Sequence, residues 1–262
     1  MLGDHPRSPH PLGDVLAAKE GMTSSNVPHR SLSEQDGKRH AAIAYIRQVL
    51  TNHHVNPEAL ARTRAHHEAM ERLGFAGEQA RLRRFPTNPS TQKGNLAEVV
   101  LAEYVVAASG AELPVYRLRY NPNVNQSMKG DDVLAFDFGH TPVRVIVGEA
   151  KFRGVSANAA VVEIVEALVR SHKSGVPVSL QFVADRLFEA GNVELGGRVL
   201  ECAVLFALDT LDLVYVGLLL SDQRSSERVD GATPTTLRRL AMISLGVEDP
   251  DSLATECYRD LE

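Results

Sequence analysis

One stretch of the chain gathers carboxylates and a lysine at strand spacing: Lys129-Gly-Asp-Asp-Val-Leu-Ala-Phe-Asp-Phe-Gly-His-Thr-Pro-Val-Arg-Val-Ile-Val-Gly-Glu-Ala-Lys-Phe-Arg153. Two apolar runs, Val133–Phe138 and Val143–Lys151, are predicted as strands joined by the four-residue turn Gly139–Pro142, a usual hairpin length. If Phe138 pairs with Val143, Asp132 falls directly opposite Glu149, with Cβ atoms about 4.5–5.5 Å apart. Glu149 and Lys151 are two residues apart on one strand and share its face. Asp131 points the other way, although a one-residue slip or bulge would exchange the two aspartates.

Two facing carboxylates repel unless a proton or a cation lies between them. Hard oxygen donors of this kind suit Mg²⁺ or Mn²⁺, and the Ala150 carbonyl could add a further ligand. Lys151 would then hold a water or stabilise charge on a phosphate, which is the set needed for metal-assisted phosphodiester hydrolysis. The plainer alternative is a strand-end salt bridge, with Asp132 merely starting a turn.

The elements that must position these residues follow from periodicity. A helix is predicted from about Asn95 to Ala108. Within it, Glu98 either closes a capping box with Asn95 or lies on the apolar stripe of Leu101, Ala102 and Val105, where a carboxylate needs a metal or a donor. Glu103 is its substitute, but on a side expected to meet solvent. Strands are expected at Val115–Tyr120, Ala203–Ala207 and Leu213–Leu220, and helices at 156–172 and 178–190. Upstream, helices are expected at 35–51 and 57–73, followed by the basic cluster Arg81, Arg83 and Arg84. The adjacent pairs His53-His54 and His66-His67 are expected on exposed helix faces. Residues 1–35, with four prolines and no apolar period, read as disordered. The division is thus 1–35 disordered, 36–90 helical with a linker, and 91–262 an α/β domain with a mixed sheet.

The Asp132, Glu149-Ala150-Lys151 pattern, with Gly94–Tyr104 as an upstream helix, resembles the PD-(D/E)xK nuclease superfamily. Gly-x-Asp followed by Gly-Glu-Ala-Lys-Phe is most similar to the nuclease subunit of Hachiman-type antiphage defence systems. The chain departs from the superfamily's pattern in having Asp131, not proline, before the aspartate. The resemblance implies a restriction-endonuclease-like α/β core in which Asp132, Glu149, Ala150 and Glu98 surround Mg²⁺ or Mn²⁺ and Lys151 assists. It also implies DNA as substrate and a helicase subunit as partner. A non-cutting DNA-binding or assembly subunit of the same fold, or a repair or restriction nuclease, are the alternatives.

Composition sets the outer bounds. Two cysteines, Cys202 and Cys257, build no disulfide framework, so a cytoplasmic setting is expected. No signal-like apolar stretch opens the chain, and the longest strongly apolar run, Leu213–Leu220, is far short of a membrane span. The formal net charge of −5 argues against a strongly basic binding face. The charge is unevenly spread, however: residues 1–93 hold 13 basic and 9 acidic side chains.

Overall fold

In the computed structural model, residues 2–75, 84–173 and 175–261 are described. Among them is one six-stranded sheet of order β1-β2-β6-β5-β4-β3. Its strands are β1 (Leu16–Met22), β2 (Pro28–Glu34), β3 (Val133–Asp137), β4 (Arg144–Phe152), β5 (Asp212–Asp222) and β6 (Leu240–Val247). The edge pairs β1/β2 and β3/β4 are antiparallel hairpins, and the inner pairs are parallel. The chain is therefore α/β with a mixed sheet, as its pattern predicts. β5 is buried along nearly its whole length, which a central strand covered on both faces requires.

Helices cover both faces. On one lie α2 (Arg39–His54), α4 (Pro89–Ser109) and α9 (Pro250–Tyr258), around Leu50, Leu96, Leu101, Ile146 and Leu218. On the other lie α5 (Asn158–Lys173), α6 (Leu180–Glu189), α7 (Val193–Ala207) and α8 (Ser225–Ala232), around Phe136, Val147, Ile164, Leu168 and Met242. A short helix α1 (Pro11–Val15) precedes β1. Helix α3 (Pro57–Arg72) starts on an Asn56 cap and buries none of its residues. No helix among the described residues is long and apolar enough to cross a membrane.

Five expectations are corrected. Residues 1–35 are not disordered: they supply α1, β1 and β2, and β2 pairs in parallel with β6. β1 is an edge strand exposed at every position after Leu16, so it carries no apolar alternation to read. The segment expected as strand Val115–Tyr120 forms a 3-10 turn at Arg117–Tyr120. Ala203–Ala207 is the last turn of α7, whose Asn192 cap and partly or fully buried Leu195, Val199, Cys202 and Phe206 follow helical spacing. His53 and His54 are buried, not exposed: His53 bonds Glu103 at 2.8 Å and His54 meets Asn95 at 3.1 Å. Glu103 accordingly ties α2 to α4 instead of facing solvent. Strand β6 and helix α8 were not anticipated. Arg81 and Arg83 lie outside the described residues.

Leu32 of β2 is 2 % exposed and pairs with Ala18 on one side and Leu245 on the other. Leu32→Ala is expected to cost about 2–5 kcal/mol in urea unfolding, as for a core leucine. A change below 0.5 kcal/mol, the range of an exposed position, would contradict the N-terminal strands.

Candidate functional site

The hairpin register is the one the sequence predicts. Val133 pairs with Gly148 and Asp137 with Arg144, so Asp132, one step before β3, lies across from Glu149. The Ala150 N–H donates to the Asp132 carboxylate at 2.9 Å. In an antiparallel strand a residue's N–H and C=O leave on the same side, so the Ala150 carbonyl also faces the space beyond the start of β3. Lys151 is ion-paired with Glu149. The salt-bridge reading and the site reading therefore describe one cluster.

The two aspartates separate, but not by simple alternation. Gly130, at φ +112°, bends the chain in a way open to glycine but not to L side chains, and regular strand begins only at Val133. Asp131 is buried and turned toward α5 and α6. Its carboxylate accepts from the Ser171 hydroxyl at 2.6 Å and the Ser179 N–H at 3.1 Å, while its own N–H donates to the Ser179 hydroxyl at 2.8 Å. That leaves Asp132 as the aspartate facing Glu149.

Glu98 comes from the helix above. Asn88 caps α4, accepting from the N–H groups of Ser90 and Thr91, and Pro89 opens it. The helix thus starts six residues before Asn95, and the capping-box alternative for Glu98 falls away: no free helix-end N–H is near it. Gly148 explains the closeness of helix and sheet. A Cβ there would stand 2.9 Å from Leu101 Cδ2 and 2.8 Å from Val133 Cβ, so glycine lets α4 settle onto β4. Glu98 lies about one turn ahead of Leu101, over the strand segment after Gly148.

Arg117 joins these parts, and the sequence reading did not single it out. From the 3-10 turn its guanidinium reaches Glu98 at 3.1 Å, at ion-pair distance but without hydrogen-bond alignment, and lies 4.0 Å from Asp132. It donates to the carbonyls of Asp131 and, at 2.7 Å, Met128. It therefore clamps the loop that carries Asp132. Nothing local distinguishes it from Arg119, which instead bonds the Asn52 carbonyl; the available signal was indirect, because a buried carboxylate on α4 requires a cation.

Electrostatically the cluster is short of positive charge. Burial lifts Glu98 to about 8; Arg117 opposes the shift, and Asp132 and Glu149 add to it. Burial and then Asp132 raise Glu149 to about 7, against the pull of Lys151. Burial also raises Asp132, opposed by Arg117 and the Ala150 N–H. Three carboxylates that resist ionisation side by side, with no histidine or cysteine among them, are a donor set suited to a hard divalent cation. Glu98 is turned to Arg117 and Glu149 to Lys151, so among the described residues no three acidic, His or Cys groups form a ready cage. The carboxylates border a groove of about 460 Å³, with Lys93, Lys129 and Arg153 on its walls.

The raised carboxylates make stability depend on pH. Between the ordinary glutamate value of 4.5 and about 8, the folded protein binds more protons at Glu98 than the unfolded chain does. Stability from this group therefore falls as pH rises through that window. Urea unfolding in chelator from pH 5 to 8 is expected to show Glu98→Gln gaining on wild type as pH rises. A constant difference between the two would contradict the raised glutamate.

Comparison with known proteins places this geometry in a lineage. Residues 15–261 match the family model described as HamA. The chain is also 35% identical over 250 residues to the Hachiman protein HamA of Bacillus cereus, covering 95% of this chain and 90% of the relative. With the family model spanning nearly the whole chain, from β1 through α9, the protein belongs to the HamA family.

Proposed function

We propose that this protein is a metal-dependent DNA nuclease, the effector subunit of a Hachiman antiphage defence complex controlled by a helicase partner. One observation carries the reading: Asp132, Glu149 and Lys151 meet at one end of the sheet, under Glu98, beside an open groove. The family membership supports the defence role, and the resemblance of the Asp…Glu-x-Lys pattern to PD-(D/E)xK nucleases supports the chemistry.

Asp132, Glu149 and the Ala150 carbonyl would hold Mg²⁺ or Mn²⁺, with Glu98 behind them. Bound there, the cation would neutralise charge on the phosphate and acidify a water. The chain's own part is positional. Arg117 holds the Met128–Asp132 loop in place and balances Glu98. Lys151, resting on Glu149, brings an ammonium to the groove, where it orients the water and stabilises the charge that grows on the phosphate oxygens. The inward hydrogen bonds of Asp131 keep that neighbouring carboxylate from competing.

Plasmid DNA incubated with Mg²⁺, with and without the product of the adjacent gene, is expected to be cleaved, and chelation should abolish cleavage. Glu149→Ala, Lys151→Ala and Asp132→Asn should each lower the rate by at least about 100-fold while leaving the fold intact by circular dichroism. Cleavage that persists in these variants would refute the site. Failure of wild type under every condition would favour a non-cutting subunit of the same fold.

Arg117 can be tested separately. Arg117→Ala removes the cation beside the buried Glu98 and is expected to destabilise the protein increasingly as pH rises through about 8, where Glu98 would otherwise ionise. The double variant with Glu98→Ala should recover much of that stability, as measured by urea unfolding, but not activity. A midpoint unchanged at every pH in Arg117→Ala would show that the pair does not hold the loop.

A further inference from the structure

The loop carrying Asp132 has a second cavity beside it. A pocket of about 160 Å³ lies beyond the outer edge of β3 and shares Glu98, Arg117, Lys129 and Asp132 with the groove. Its walls are mainly apolar: Leu113, Val115, Leu134, Phe182 and Val183. A cavity near 150 Å³ with such walls accepts one aromatic ring of benzene size. One wall residue, Phe182, also belongs to an aromatic pair that the sequence, with its scattered Tyr and Phe, does not announce. Tyr120 meets Phe182 edge-on at 5.9 Å, and Arg186 lies 5.4 Å from the Tyr120 ring and 5.6 Å from that of Phe182. Tyr120, outside the pocket on the far side of Phe182, is 41% exposed, and Val178, which lines the pocket, 62%.

We propose that this pocket receives an unpaired base of the substrate strand, next to the phosphate held at the carboxylate cluster. The inference rests on the nuclease reading and adds a substrate class to it. A base stacked in a duplex cannot enter; one that is single-stranded, frayed or flipped can. The occupant is aromatic because the walls are mainly apolar and one of them, Phe182, is a ring that packs outward against Tyr120 and Arg186. It is a nucleobase because Lys129, a cation suited to a phosphate, borders both pocket and groove. A single ring fits inside, so a pyrimidine enters fully and a purine projects out of it.

The test measures binding, without metal, by fluorescence anisotropy of three labelled 12-mers of equal charge: oligodeoxythymidylate, oligodeoxyadenylate and an abasic strand. Wild type is expected to bind the thymidylate strand about tenfold or more tightly than the abasic one, the gain typical of base stacking, with adenylate between them. Tyr120→Ala, at an exposed position, and Phe182→Ala should narrow the gap and leave binding of duplex DNA unaltered. Equal affinity of wild type for the base-bearing and abasic strands would overturn the pocket, as would variants that weaken all strands alike. The result is independent of cleavage. A protein that binds by this pattern but never cuts refutes the nuclease reading alone, and one that cuts but ignores the bases refutes the pocket alone.

Discussion

The structure turns on the burial of three carboxylates beside one another. Glu98, Asp132 and Glu149 come from a helix, a loop and a strand, and each is harder to ionise chiefly because it is buried; Asp132 and Glu149 add to the shift at Glu98, and Asp132 to that at Glu149. Such a cluster has no place in an ordinary core, where a carboxylate that cannot be paired is simply costly. It persists here because the surrounding elements over-determine it. Gly148 draws α4 down, Gly130 turns the loop, the hairpin register sets Asp132 across from Glu149, and the Arg117 clamp holds loop and helix together. Arg117 and Lys151 offset part of the repulsion from within the chain, and what they leave is a demand for further positive charge.

Local sequence made this half of the molecule legible. The hairpin could be read because both strands are apolar, the turn between them is short, and one register alone opposes Asp132 to Glu149 with the apolar residues kept inside. The site's third carboxylate was harder. Glu98 was visible as a charge on an apolar stripe, but the true start of α4 was hidden: Asn88-Pro89 sits inside a run of polar residues that reads as linker. Arg117 was illegible, since its role depends on where a 3-10 turn projects a side chain across 19 residues of sequence to α4.

The remainder was obscured for two different physical reasons. β1 and β2 form an edge hairpin whose outer strand faces solvent, so polar residues are stable there and no alternation marks it. α7 presents the opposite difficulty. Its final turns are apolar on the exposed side as well, with Val204 and Leu208 57% and 65% exposed, and that continuity imitates a buried strand. Period is a guide only when one face alone meets the core.

The formal charge of −5 looks different once the groove is visible. Basic side chains do line it, but neighbouring carboxylates occupy two of them: Lys93 is held 2.8 Å from Asp251 and Arg153 2.5 Å from Glu163. These pairs are largely exposed, so each is weak and salt-sensitive. On the nuclease reading, a phosphate backbone entering the groove must exchange with Asp251 and Glu163 before it gains either cation. Each contact then yields less than a free lysine or arginine would, and grip on nucleic acid by this chain alone is shallow. On the same reading, a partner that delivered the strand would need to supply only the missing attraction, and the acidic balance would keep the carboxylate cluster empty of substrate until then.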